Sequence, residues 1–201
     1  MGDIFDLLVG GLEKSYALNA EAIARIQSLS RHTDIFYFEG NHDFQLEKIF
    51  KNIKIYTRGE QPQYMGYNSF IVGLSHGDRF ASGWRHDLLS RILRNPLILT
   101  MITWLKPNLI AQKRAHLSSK EICHDLPDFE TKAKEIFGSY SSAKWVIEGH
   151  YHQGEKYGGY ISLPSLACQK QVGIMGEEGI IFVSIESLSR PASAPSQKAP
   201  R

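Results

Sequence analysis

At 201 residues, 42% hydrophobic and 22% charged, the chain can bury one sizeable core, and a single compact domain is expected. Two cysteines, Cys123 and Cys168, are too few and too far apart for a disulfide framework or a thiolate zinc site. Two reduced thiols and a cytoplasmic setting are expected, and no apolar run approaches the ~20 residues of a membrane span. The net charge of +2 is unevenly spread: eight of the 23 basic residues lie between Arg79 and Lys120 with one acid, Asp87, so a basic insert sits on an acidic body and points to an anionic partner.

In chain order, residues 15–30 place Leu18, Ala22, Ile26 and Leu29 at helical spacing, which predicts an amphipathic helix. Residues 34–39 (DIFYFE) read as a buried strand delivering Gly40-Asn41-His42-Asp43 at its carboxyl end. A short helix through Leu46, Ile49 and Phe50 follows. Residues 53–57 and 70–74 read as strands around the turn-rich stretch 58–68, and the second runs into Ser75-His76-Gly77-Asp78. Residues 83–138 read as helical: a face of Trp84, Leu88, Leu89, Ile92 and Leu93, an apolar run at 97–105, a capping box at 118–121, and a last helix opened by Pro127 and stopped at Gly138. Residues 145–148 are a strand leading to Gly149-His150-Tyr151-His152. Three strands are expected over 157–161, 166–172 and 180–185. The domain ends near Glu186, and the Ser/Ala/Pro-rich tail 187–201 is expected to be disordered.

Asp3, Asn41, His76 and the His150/His152 pair each stand at the end of a strand-like run, which in an α/β chain places them on one sheet rim. On an extended backbone His150 and His152 point to the same side. Imidazole, carboxylate and amide oxygen without thiolate suit Mn²⁺, Fe²⁺ or Zn²⁺ in an open catalytic site. Two such cations ~4 Å apart serve phosphoester or pyrophosphate hydrolysis.

The ordered series Gly2-Asp3-Ile4-Phe5-Asp6, Gly40-Asn41-His42-Asp43, His76-Gly77-Asp78 and Gly149-His150-Tyr151-His152 resembles the calcineurin-like metallophosphoesterase family over almost the whole chain to Glu186. The resemblance implies an α/β fold, a β-sandwich flanked by helices, with two divalent metal ions, Mn²⁺ foremost, at the sheet rim. It implies that Asp3 bridges the metals, that Asn41, His76 and His150 complete the second site, and that His152 binds the first. It also implies that His42 acts near the leaving group, oriented by Asp6, while Asp43 and Asp78 brace their loops.

The family's Asp-x-His motif, on a strand before Gly-Asp, has no counterpart here, so an N-terminally truncated form lacking its first strand is expected. Leu7-Leu8-Val9-Gly10 after Asp6 counts against the Ser/Thr phosphatases, which carry Arg-Gly there. The first motif and the long helical insert are similar to the UDP-2,3-diacylglucosamine pyrophosphatases of lipid A synthesis, which yield UMP and an acylated sugar phosphate. On that reading Arg79, Arg85, Arg91 and Arg94 meet phosphates, and residues 91–117 touch an acyl chain or the inner-membrane surface, so the protein is cytoplasmic, peripheral on that membrane. That branch has Arg where this chain has His42. Two alternatives stay open: a phosphoesterase acting on nucleotides or other phosphodiesters, and a binding module without activity. Nucleic acid is not expected, since only Trp84 and Trp104 offer stacking surfaces among the basic residues.

Overall fold

The computed structural model describes residues 1–81, 88, 91–106, 108–118 and 123–189. Within them the chain is mixed α/β. Its largest sheet has five strands in the order β5 (Gln63–Tyr67), β6 (Phe70–Ser75), β7 (Trp145–Glu148), β9 (Tyr160–Pro164), β8 (Gln153–Tyr157). β6, β7 and β9 run parallel, with antiparallel hairpin partners β5 and β8 at the two edges. Three two-stranded sheets accompany it: β1 (Leu8–Val9) with β3 (Asp43–Phe44), β2 (Phe36–Phe38) with β4 (Lys54–Tyr56), and β10 (Gln171–Gly176) with β11 (Gly179–Ser184).

The topology sets the rim. β7 is flanked by strands on both sides and reads as a continuous run, WVIE, as a strand covered on both faces should. Ser75 pairs with Glu148 in the β6/β7 register, so His76 and Gly149 emerge side by side. The β2/β4 pair carries the Asn41 loop beyond Phe38. Beneath that loop lies a cluster of Phe5, Leu8, Ile23, Tyr37, Leu46, Phe50 and Ile55. Each large aliphatic buried there contributes about 1.5–3 kcal/mol.

Several expectations are corrected. The helix over 15–30 is two helices, Glu13–Ala17 and Ala20–Leu29, because Asn19 turns its amide back to the carbonyls of Leu7 and Ser15 and competes with the helical ladder. The break resets the phase, so Ile23 is the fully buried residue while Leu18 and Leu29 are exposed. The short helix after Phe44 is one 3-10 turn, Leu46–Lys48, although Leu46, Ile49 and Phe50 are buried as expected. The stretch 58–68 contains β5, and the expected strand at 157–161 spans the Gly158-Gly159 turn between β8 and β9. The segment 166–172 begins as a turn and enters β10 only at Gln171.

The insert contains the helices Pro96–Leu105, Leu109–Ser118 and Phe129–Gly138. Asn95 caps the first by accepting from Leu97 N and Ile98 N, with Pro96 at the first helical position. Trp84, Leu89, Arg85 and the body of the capping box at 118–121 lie outside the described residues. So does most of the expected tail, whose first residues instead belong to a helix, Ile185–Leu188.

The cysteines also differ from expectation. Cys123 and Cys168 form a disulfide, with Cα atoms 5.5 Å apart. Forty-five residues of separation say nothing about proximity here, because the fold brings the end of the insert against the turn after β9. The reading of two reduced thiols, and the cytoplasmic setting drawn from it, lose their basis. Among the described residues no helix is long and apolar enough to cross a membrane.

Candidate metal centre

Two close approaches shape the rim before any ligand is considered. A Cβ on Gly40 would stand 2.1 Å from Asp3 Oδ1, and one on Gly2 would stand 2.3 Å from His76 Nδ1. Gly2 and Asp3 both have positive φ, 59° and 50°, so the turn that swings the Asp3 carboxylate beneath the Asn41 loop suits glycine at the first position and strains the second. Asp3 Oδ1 accepts from His42 N at 2.8 Å. Oδ2 is left to face inward.

That oxygen lies 3.3 Å from His76 Nε2. Asn41 Oδ1 lies 3.3 Å from the same nitrogen, and His150 Nδ1 lies 3.2 Å from it. Asp3, His76 and His150 form the group whose ligand atoms all lie within 4.8 Å of one another. His76 Nδ1 faces the Met1 carbonyl at 3.2 Å, so that nitrogen carries the proton and Nε2 presents a lone pair. Four lone-pair atoms, two oxygens and two nitrogens, therefore converge. A proton on Nε2 can serve one neighbour, whereas a cation serves all of them. The donor set fits a divalent ion without thiolate preference.

Without a cation, the crowding favours a proton between Asp3 and His76, which a bound cation would have to displace. Burial pushes the Asp3 carboxyl up, but the hydrogen bond and charge of His76, with help from His42, hold it well below the usual carboxylate range. Burial works against a charged His76, yet Asp3 raises its pKa overall. His150 is driven down to about 4 by burial and by His76 beside it. Its imidazole is neutral at pH 7 and free to act as a ligand.

The remaining predicted residues are placed as follows. His152 is half-buried at φ 55°, and its carbonyl accepts from Gln169 Nε2 at 2.8 Å. Its pKa is lowered by burial, with Asp3 opposing and His76 and His42 adding to the lowering. His42 is held by its main chain, N to Asp3 and carbonyl to Leu8 N, which leaves the imidazole partly open to solvent. Asp6 is exposed on the loop that carries Asp3. Asp43 is a brace: it is fully buried and accepts from Ile4 N, Gly40 N and the Tyr37 hydroxyl. Asp78 is buried against Arg58 at 2.8 Å.

Of the four arginines read as phosphate partners, Arg79 and Arg91 are exposed and Arg85 lies outside the described residues. Arg94 points inward. It donates to Gly40 O at 2.6 Å and Glu39 Oε2 at 3.2 Å and lies over the Phe44 ring, tying the insert to the Asn41 strand. Sequence reasoning passed over Glu39, Gln61 and Glu148, all buried polar residues. Glu148 accepts from the hydroxyls of Tyr140 and Tyr160 at 2.6 and 3.0 Å, and burial pushes its carboxyl up. A charged residue ending the apolar run WVIE was the available signal for Glu148; nothing in the sequence marks Gln61.

No protein-family model matches the chain. Curated proteins named UDP-2,3-diacylglucosamine hydrolase are similar to it. That of Shewanella sp. (strain MR-7) is 26% identical over 167 residues, covering 76% of this chain and 66% of the relative. That of Shewanella loihica is 27% identical over 161 residues, with the same coverage. That of Pseudomonas fluorescens (strain SBW25) is 26% identical over 165 residues, covering 76% of this chain and 64% of the relative. The chain thus spans just under two thirds of the length of these relatives, and they carry the name of the branch that its motifs resemble.

Proposed function

We propose that this chain is the core of a two-metal phosphohydrolase that cleaves the pyrophosphate of UDP-2,3-diacylglucosamine to UMP and 2,3-diacylglucosamine 1-phosphate. The observation that carries the reading is the convergence of Asp3 Oδ2, Asn41 Oδ1 and His150 Nδ1 on His76 Nε2 at 3.2–3.3 Å. The names of the similar proteins support the substrate class. The fold on this reading is that of the calcineurin-like phosphoesterases.

Asp3, Asn41, His76 and His150 would hold one cation, and Asp3 with His152 would contribute to a second. Bound there, Mn²⁺ or a similar ion supplies Lewis-acid polarisation of a phosphoryl oxygen and a more acidic water. The chain's own work is positioning and proton handling. His42, one residue beyond Asn41, has its backbone fixed by Asp3 and its ring open to the rim, so the imidazole can donate a proton to the leaving phosphate oxygen, with Asp6 orienting it. Arg79 and Arg91 offer exposed charge to the phosphates.

The acyl chains would meet the Pro96–Leu105 helix, where Leu97 and Trp104 are each 80% exposed. An apolar surface of that kind on a basic insert suits a lipid substrate or contact with a bilayer surface. The test is Mn²⁺-dependent release of UMP from UDP-2,3-diacylglucosamine, assayed with this chain and with a form extended upstream in frame. UMP release supports the reading. Hydrolysis of simple phosphodiesters without UMP release would transfer it to the nucleotide or phosphodiester alternative.

A further inference from the structure

Gln61 is 4% exposed and uses every hydrogen-bonding position of its amide. Nε2 donates to the Glu39 carbonyl at 2.9 Å and the Tyr56 carbonyl at 3.1 Å. Oε1 accepts from His76 N at 2.6 Å and from the Ser75 hydroxyl at 3.3 Å. The orientation of the amide follows from the partners, since the flipped form would set its NH₂ against the His76 N–H and its oxygen against two carbonyls. Its own carbonyl accepts from Arg79 Nη1 at 3.2 Å.

The partners lie on different sheets. Glu39 and Tyr56 close the β2/β4 pair, and Glu39 stands two residues before Asn41. His76 follows β6 of the five-stranded sheet. The His76 carbonyl in turn accepts from Gly149 N at 3.0 Å and His150 N at 2.8 Å. One chain of hydrogen bonds therefore runs from the Asn41 loop through the Gln61 side chain and the His76 backbone to His150. The four convergent atoms come from elements that this chain joins, while Asp3 joins separately through His42 N.

We infer that Gln61 is a positioning residue for the metal centre: it sets the separation between the sheet that carries Asn41 and the sheet that carries His76 and His150. The inference rests on the metal reading above. No other natural side chain of this size presents two donors and an acceptor in this plane. Glutamate would face two carbonyls with oxygen, and leucine would strand the His76 N–H and the Glu39 carbonyl while leaving the Tyr56 carbonyl only its bond from Glu39 N. Groups that orient ligands from behind typically change metal affinity ~10–100-fold when removed.

The test is Mn²⁺ titration by calorimetry, together with the visible spectrum of the Co²⁺-loaded protein, for wild type, Gln61→Glu, Gln61→Leu and a destabilised control in the core, Ile53→Ala. The expected result is that both Gln61 variants bind Mn²⁺ at least ~10-fold more weakly and shift the Co²⁺ bands. Ile53→Ala should keep wild-type affinity and spectrum despite its lower melting temperature. If wild type binds neither ion, the metal reading itself fails. If wild type binds and the folded Gln61 variants match it, the positioning role fails alone. Failure of both Gln61 variants to fold would also overturn it, since Gln61 would then be a folding residue.

Discussion

Arg94 Nη2 donates to the Gly40 carbonyl at 2.6 Å, so the basic insert is fastened to the peptide that precedes Asn41. Its Nη1 meets Glu39, a carboxyl that is 2% exposed. Burial pushes Glu39 up to about 7, against the hydrogen bond from Leu46 N and the charge of Arg94. From its ordinary value of 4.5 to about 7, the folded protein holds the proton that the unfolded chain has released. Glu39's own contribution to stability therefore falls as pH rises through that window, by on the order of 3 kcal/mol, while His150, lowered to about 4, contributes with the opposite sign up to its ordinary 6.5. The difference in urea-unfolding stability between wild type and Glu39→Gln, measured from about pH 4.5 to 8, isolates the Glu39 contribution and should decline as pH rises. A difference that rises with pH over that range would contradict the assignment.

Metal binding should stabilise the fold, because the four ligand atoms come together only in the folded chain. Mn²⁺ at about 100 times its dissociation constant should add about 2.7 kcal/mol, and chelator should reverse it. His150→Ala removes one of the four convergent atoms and should weaken Mn²⁺ binding at least ~10-fold by calorimetry. Thermal melts with and without ion check the linkage directly.

On the proposed reading His42 acts at the leaving group and does not bind a cation. His42→Ala should lower turnover by ~10²–10⁴-fold, the usual worth of a positioned acid. Metal content of the variant, measured by elemental analysis, should equal that of wild type. Equal loss of metal and activity would make His42 a ligand instead.

The Cys123–Cys168 bridge closes over a region already laced by side chains: Gln153 Nε2 donates to His124 O, Gln153 Oε1 accepts from Leu126 N, and Gln169 Nε2 reaches His152 O. Replacing both cysteines with alanine should cost about 2–4 kcal/mol. The denaturant midpoint under non-reducing conditions measures that cost. Thiol titration of the denatured, unreduced protein should find no free thiol; two thiols would overturn the pairing.

The residues able to hold a metal were legible because their signal is local. A strand that breaks at glycine and presents a ligand, as in Gly40-Asn41 or Gly149-His150, is written within a few neighbours. The same locality located β2, β4, β6, β7 and the insert helices Pro96–Leu105 and Phe129–Gly138, whereas Ser118, read as the opening of a helix, ends the helix Leu109–Ser118. It failed at residues 15–30, where one amide at Asn19 reaches a carbonyl twelve residues away, and at β5, hidden in a stretch rich in turn residues.

Sequence by itself determined which atoms this protein can offer a cation, because ligand chemistry belongs to the side chain. Only the tertiary structure decided how those atoms meet. Gln61 lies 22 residues from Glu39 and 15 from His76, Arg94 lies 54 from Gly40, and Cys123 lies 45 from Cys168. A hydrogen bond or disulfide depends on distance in space, and no local pattern encodes a distance between segments that only the folded sheets bring together.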